Sequence, residues 1–233
     1  FAADWSARAN DMRSLIKGAS VLVLGGAGTI GAACVGALLE FSPRRLHVVD
    51  VDENGLARLT RDIRSSPASA TDAELHFLAA DMGGYPMEAH LDAAGPFDLV
   101  LDFAAVKHVR SEKSVPALLH MIDVNVLKQD RLFRRIEKSK SPTRCFAVST
   151  DKAADPANFM GATKRLLEEV LFAAGDRAPQ LATMSARFAN VAFSSGSLLE
   201  SFWLRLHAGR PLAAPRETQR YFLSAREAAE ICL

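Results

Sequence analysis

An α/β fold built on a doubly wound parallel sheet is what the 233-residue sequence predicts, on three observations. Short, continuous apolar runs alternate with stretches of helical periodicity, a rhythm that requires crossover connections and parallel pairing. The first such run, Val21-Leu22-Val23-Leu24, is apolar at every position, as a strand buried on both faces must be. It leads directly into Gly25-Gly26-Ala27-Gly28-Thr29-Ile30-Gly31, a glycine-rich turn placed where a helix begins.

The elements follow in order. Residues 4–17 read as a short amphipathic helix with Trp5, Met12, Leu15 and Ile16 available for one face. After the glycines, Ile30, Cys34, Leu38 and Phe41 recur at helical spacing. Residues 46–50 form the second strand and 53–64 the second helix; 75–78 and 97–101 are the third and fourth strands. A long helix is expected over 115–138, with Leu118, Ile122, Val126 and Leu127 on its inner face. The fifth strand is 145–148, a helix over 158–174 follows, and 181–187 reads as a sixth strand. Past Arg187 the rhythm changes to a helix over 198–208, a short strand at 221–223 and a helix starting at 226. That helix meets neither glycine nor proline, so the natural chain is expected to continue. The division that results is a dinucleotide-binding domain, 1–187, and the start of a smaller, incomplete substrate region, 188–233. Ser65 to Thr71 is the one linker-like stretch.

Composition excludes several classes. With 49% apolar residues and 28 Lys+Arg against 27 Asp+Glu, the chain buries enough surface to fold. It also lacks the basic field that nucleic acid or an anionic membrane requires. Cys34, Cys145 and Cys232 are odd in number, with no C-x-x-C pair, which suits buried thiols in a reducing cytoplasm rather than a disulfide frame or zinc site. Residues 18–39 carry no charge and are long enough to span a bilayer. Four glycines in the middle of that stretch, where strand turns into helix, favour the soluble reading. The charged N-terminus has no apolar core of a signal peptide. No metal-ligand spacing is visible among the histidines and acids.

Gly25, Gly28 and Gly31 stand at G-x-x-G-x-x-G spacing. The first permits the tight turn, the second lets backbone approach a pyrophosphate, and the third lets helix and strand pack closely. The helix N-terminus supplies free N–H groups and the positive end of a dipole. Asp50, 19 residues past Gly31, stands where a carboxylate accepts hydrogen bonds from an adenosine ribose. A carboxylate there repels a 2′-phosphate, so NAD is favoured; Arg44 and Arg45 keep NADP open. Asp81, after the third strand, is either an adenine contact or a turn aspartate.

The segment from Ser149 to Lys164 leaves the carboxyl end of the fifth strand, where open α/β sheets place their ligands. Met160 and Lys164 are one helical turn apart, the spacing at which short-chain dehydrogenases carry a Tyr and a Lys; here the Tyr is replaced by Met.

On these residues the sequence resembles the bacterial nucleotide-sugar 4,6-dehydratases of the CapD-like polysaccharide-biosynthesis group, which are extended short-chain dehydrogenase/reductases. The resemblance runs through Gly25 to Gly31, Ala104-Ala105-Val106-Lys107-His108-Val109, Asn125-Val126 and Ser149 to Lys164. It continues through Arg187-Phe188-Ala189-Asn190-Val191, Ser194-Ser195-Gly196-Ser197 and Arg220-Tyr221-Phe222. It implies an NAD(P)-binding Rossmann fold and a UDP-sugar substrate, above all UDP-N-acetylglucosamine. The nicotinamide is reduced and reoxidised in each turnover. The cofactor would lie against Gly25, Gly28, Thr29, Ile30, Gly31, Asp50, Asp81, Ala104 and Lys164. Thr150 would hydrogen-bond the sugar 4-hydroxyl. Asp151 would act as acid toward the departing 6-hydroxyl and Lys152 as base toward the 5-proton, for which it must be neutral; the alternative for the two is an exposed turn with a solvated ion pair worth little. Lys164 would hold the nicotinamide ribose, and Asn125 would be structural or part of a proton relay. Met160 leaves the 4-hydroxyl proton without a tyrosine to receive it, and Asp151 is the candidate base.

Lys107 and His108 are read either as a loop over the nicotinamide and sugar or as a solvated helix start. Asn190 and Arg220 are either contacts to the UDP phosphates or a turn asparagine and a surface arginine. Phe202, Trp203 and Leu206 are assigned to core or subunit interface, and a homo-oligomer is expected. Two other activities remain open: a nucleotide-sugar epimerase on the same scaffold, and a non-catalytic NAD(P)-binding regulator. Arg110 and Ala189, which replace the family's usual proline and glycine, leave room for the latter.

Overall fold

The computed structural model describes residues 2–66, 72–107, 112–214, 217 and 219–233. Six strands form one parallel sheet in the order β3-β2-β1-β4-β5-β6. They are β1 (Ser20–Leu24), β2 (Arg45–Asp50), β3 (Glu74–Ala79), β4 (Leu99–Asp102), β5 (Thr143–Val148) and β6 (Leu181–Ala186). The predicted doubly wound α/β fold is the observed one. The order reverses between β1 and β4, and ligands of such sheets bind in the crevice at that switch point.

The period of two along β1 divides the core between the two faces of the sheet. Val21 and Val23 pack on one side with Leu46, Val48, Leu99 and Leu101. Leu22 and Leu24 pack on the other with Val49, Val100, Cys145 and Ala147. All are buried, each contributing about 1.5–3 kcal/mol for a fully buried Val or Leu. Helix α1 (Ala2–Ile16) lays Trp5, Met12, Leu15 and Ile16 on the first face. Helices α2 (Thr29–Leu39) and α3 (Glu53–Arg64) cover the same side. Helix α4 (Tyr85–Ala94), which the sequence patterns did not indicate, follows a Gly83-Gly84 turn and carries Pro86 in its first turn. Proline is tolerated there because that N–H has no helical partner anyway.

One expected element is broken. The helix predicted over 115–138 consists of α5 (Val115–Ile122), a π-helical turn (Asp123–Leu127) and α6 (Lys128–Ser139). The wider turn carries Asn125, whose side chain is fully buried. Helix α7 (Phe159–Arg177) runs on past the predicted end at Ala174. Beyond β6, the pair β7 (Asn190–Val191) and β8 (Phe222–Leu223) forms a small parallel sheet. Helix α9 (Ala225–Cys232) returns to α2, its Ala229 and Cys232 joining the core that holds Cys34 and Leu38. Arg226 on α9 binds Glu40 and Glu230 and lies 5.8 Å over the Trp5 ring. The cysteines are buried free thiols. In helix α8 (Leu198–His207) none of the residues is buried, and Trp203 and Leu206 are exposed, which removes the core alternative for them and leaves that of a subunit interface. Among the described residues no helix is long and apolar enough to cross a membrane; residues 18–39 supply β1, the glycine turn and α2.

Behind the sheet, His47 on β2 hydrogen-bonds His90 on α4 (Nδ1 to Nε2, 2.9 Å) and stacks on His76 of β3. Burial first, then His76, His90 and Arg45, lower the His47 pKa to about 4. An unfolded histidine binds its proton near pH 6.5, so the unfolded state gains protons first and stability falls as pH drops from about 6.5 toward 4. Thermal unfolding of His47→Phe, which keeps an aromatic ring but cannot protonate, should respond less to that pH change than the parent does. Equal slopes would remove His47 as the cause.

Candidate active site

The carboxyl ends of the central strands open into one cleft of ≈900 Å³. Its floor is the turn after β1. Gly25 has φ +70°, and the N–H groups of Gly25 and Gly26 both donate to the Val49 carbonyl, at 2.9 and 3.2 Å. A Cβ at Gly25 would lie 2.6 Å from Ala104 N, and one at Gly31 would lie 2.3 Å from Gly25 O. The protein itself forbids side chains at these two positions. Gly28 is different: a Cβ there would meet only Gly25 O, at 3.3 Å. That glycine keeps a surface low for something outside the protein. Gly28 is also the N-cap of α2, makes no side-chain cap, and is followed by a first turn without acids. The N–H groups at this end are therefore open to an anion, and the cradle fits a pyrophosphate. Thr29 Oγ1 accepts a hydrogen bond from Ser195 N (3.1 Å), joining the turn to the segment before α8.

Asp50 braces this turn. Its Oδ2 accepts from Ala27 N and its Oδ1 from Asp52 N, both at 2.9 Å. A carboxylate oxygen has two lone-pair sites, so capacity remains toward the cleft, which Asp50 lines. Asp81 occupies the turn role: Oδ1 accepts from Gly83 N (2.8 Å) and Oδ2 from Lys128 Nζ (2.6 Å), while the residue still lines the cleft.

At the end of β5, Thr150, Lys152, Met160 and Lys164 reach the cleft together with Ile30, Ala104, Lys107, Asn190 and Arg220. Thr150 caps a 3-10 turn at Asp151–Ala153. Its hydroxyl donates to Asp151 Oδ1 (2.8 Å), which also receives Lys152 Nζ at 3.1 Å. Asp151 does not line the cleft, and its side chain is 53% exposed. Burial pushes the Asp151 carboxyl up, but the hydrogen bonds from Thr150 and then Lys152 outweigh it and hold it below the usual range. In this arrangement Asp151 is an ionised acceptor rather than an acid. Met160 is buried at the cleft wall, and its N–H donates to Glu112 Oε1 (2.8 Å). Lys164 is buried, with Nζ donating to Val148 O at 3.0 Å. Its pKa is lowered to about 8 by burial, with Asp102 and Glu168 acting in the opposite direction.

Asn125 does not line the cleft. It exchanges two 2.9 Å hydrogen bonds with the backbone of Val106 and donates to Thr163 Oγ1 at 3.1 Å. It thus pins the loop carrying Lys107 to the helix carrying Lys164, which is the structural alternative of the two considered. His108 lies outside the described residues. Asp102, Glu112 and the Glu168–Arg187 pair were not singled out from the sequence. Asp102 had a signal, an acid closing the apolar run of β4; the other two had none within their own segments.

The strand order, the glycine turn and this cleft define a Rossmann-type α/β protein. Residues 21–233 match the family described as polysaccharide biosynthesis protein, and the chain belongs to it. It is 28% identical over 228 residues to the uncharacterized membrane protein MJ1061 of Methanocaldococcus jannaschii, covering 96% of this chain and 64% of that protein. Similarity extends to a UDP-N-acetylglucosamine 4,6-dehydratase (inverting) of Campylobacter jejuni, 26% identical over 94% of this chain and 64% of that one. It extends also to a UDP-glucose 4-epimerase of Rickettsia prowazekii, 27% identical over 88% of this chain and 58% of the enzyme. The chain thus spans less than two thirds of the length of these relatives. Among solved structures, the Bordetella bronchiseptica enzyme WbmF in complex with NAD+ and UDP shares the fold. Its TM-score is 0.72 at 20% identity, over 94% of this chain and 69% of that one.

The glycine geometry separates two effects. Gly31→Ala, whose Cβ meets backbone, should cost stability of order 1–3 kcal/mol or prevent folding. Gly28→Ala should unfold within a few degrees of the parent. Thermal melts of both variants check this, and equal losses would contradict the assignment.

Proposed function

We propose that the protein is a nucleotide-sugar 4,6-dehydratase acting on a UDP-hexose, above all UDP-N-acetylglucosamine, with NAD as the cofactor. One observation carries the reading: a single cleft joins the Gly25–Gly31 cradle to Thr150, Lys152, Met160 and Lys164 at the end of β5. The Campylobacter dehydratase supports the activity, and the NAD+ and UDP named with WbmF support the ligands. Asp50, a carboxylate at the end of β2, favours NAD over NADP.

The Gly25–Gly31 cradle and Lys164 would hold the nicotinamide cofactor, which would supply a hydride acceptor able to give the hydride back. The protein's own residues handle the protons. Thr150 lines the cleft and donates to Asp151 behind it, so the 4-hydroxyl proton passes through Thr150 to the ionised Asp151 as the C4–H bond gives up its hydride. Lys152 takes the C5 proton. The C6–O bond then breaks, and the proton held on Asp151 leaves with the 6-hydroxyl as water. The hydride returns to C6 and the Lys152 proton to C5. The product is a 4-keto-6-deoxy sugar, with both carboxylate and amine restored. Lys164 holds the nicotinamide ribose. Asn190 and Arg220, at the cleft edge near β7 and β8, hold the UDP phosphates.

The Rickettsia relative favours a second reading, a 4-epimerase. Incubating the protein with NAD and a panel of UDP- and dTDP-hexoses decides, the products being read by mass for loss of water and by proton NMR for a stereoisomer. Loss of one water supports the dehydratase. An isomer with its 6-hydroxyl intact makes the protein an epimerase, and bound NAD with no hexose consumed makes it a regulator.

Two variants test the roles. Lys152→Ala should retain NAD while product formation falls by at least the 10²–10⁴-fold that general base catalysis contributes; undiminished turnover would remove its role. Gly28→Val should fold yet lose NAD retention in equilibrium dialysis, and retention equal to the parent's would refute the cradle.

A further inference from the structure

We propose that Asp102 is the buried counter-charge that keeps Lys164 an ammonium, and so a positioning residue acting on the cleft from beneath. The catalytic consequence rests on the reading above; the charge relation between the two residues does not.

Asp102 closes β4 directly opposite Ala147 of β5. Lys164 Nζ is bound to the carbonyl of Val148, the next residue along. Asp102 and the Lys164 ammonium are thereby brought to the adjoining ends of two paired strands, without a direct ion pair between them. Asp102 is 1% exposed. Its Oδ1 accepts from Ala104 N (2.9 Å), while Oδ2 has no hydrogen-bond partner. A buried carboxylate left half-satisfied is expensive unless a nearby cation repays it.

The charged and titratable groups around Lys164 divide unequally. Glu168, one turn along α7, is already held by Arg187 and by the Ser149 hydroxyl. Cys145 on β5 is pushed up by burial, then by Asp102, and stays a thiol. Gln129 on α6 bears on Asp102, but its own Oε1 is also buried without a donor. Asp102 is thus the acid whose charge is not spent on another cation.

The signs agree. Burial raises Asp102 to about 6 against the pull of Lys164, the Ala104 N–H and Gln129. Burial lowers Lys164 to about 8 against Asp102 and Glu168. Asp102 takes up its proton as pH falls through about 6, and Lys164 loses its proton as pH rises through about 8. The pair is fully charged only between those limits. Without Asp102, one of the two charges sustaining the Lys164 ammonium is gone.

The test is a titration of the ligand-free protein labelled with ¹³C at the lysine Cε, with Lys164 assigned through Lys164→Arg. In Asp102→Asn, which keeps the side-chain shape, the Lys164 midpoint should fall by about one pH unit or more, a tenfold fall in the ratio of ammonium to amine. A shift below about a third of a pH unit overturns the proposal. Should that variant not fold, the parent decides: its Lys164 signal should show a second, smaller inflection near pH 6 as Asp102 takes its proton, and a single inflection overturns the proposal. Where hexose turnover is measured, Asp102→Asn should move the alkaline limb of the kcat profile to lower pH. An equal loss at every pH marks a merely structural role. If the parent consumes no nucleotide sugar, the dehydratase reading fails while the titration still decides this one.

Discussion

The architecture depends on how closely the turn after β1 lies against the strands beside it. Gly25 and Gly26 hang from one β2 carbonyl, that of Val49. Leu24 O accepts from Phe103 N just past β4, so the three strand ends are tied at one point. A single methyl group at Gly25 would push into the Phe103–Ala104 backbone, and one at Gly31 would push into Gly25. Because the turn is this tight, α2 starts immediately at the sheet edge with its N-terminal N–H groups free of side-chain caps. Everything that lines the cleft is positioned relative to that corner. Asp50 braces it from β2, Ala104 presses on it from β4, and the β5 end faces it across the crevice.

A second constraint operates beneath the cleft, where charged groups are buried together. Arg187 at the end of β6 grips Glu168 with two nitrogens, and Ser149 donates to the same carboxylate. Burial would raise Glu168, but Arg187 and Ser149 overcome it and hold the acid ionised. Paired, hydrogen-bonded ions of this kind contribute little net stability compared with apolar packing, but removing one partner is costly. Their effect here is positional. They hold the start of α7 against the ends of β5 and β6, and α7 carries both Met160 and Lys164. Asn125 does the same from the other side, bridging the Val106 backbone and Thr163 through its carboxamide.

Legibility in the sequence follows locality. The apolar runs of β1, β2, β4 and β5 are contiguous, and burial on both faces marks them without reference to distant residues. The glycine turn and the Ser149-to-Lys164 segment are likewise continuous in the chain, so their residue types and spacing were readable together. The π turn was not, because it is decided by a bond from Asn125 to a backbone 19 residues away. Without Val106 in place, the 115–138 stretch has ordinary helical periodicity. Asp102 showed only as an acid closing the apolar run of β4; its relation to Lys164 was not readable, because the two come together only when β4 and β5 pair. Trp203 and Leu206 show the limit from the opposite direction: apolar residues at helical spacing do not say whether their face meets the chain's own core or another surface, and α8 buries none of its residues.

Replacing a tyrosine by Met160 changes which atoms must handle protons. A thioether is a weak acceptor with no proton to exchange, so an acid–base step at that wall of the cleft has to be supplied from elsewhere. Thr150, with the ionised Asp151 behind it, is one hydroxyl at the cleft that could serve; Ser149, which donates to Glu168, is another. In the proposed chemistry the Thr150–Asp151 arrangement would take the place of the phenol. Lys164 would then have no phenol beside it, and its charge would act on the ligand. A buried carboxylate beneath it would sustain a positive charge that burial opposes.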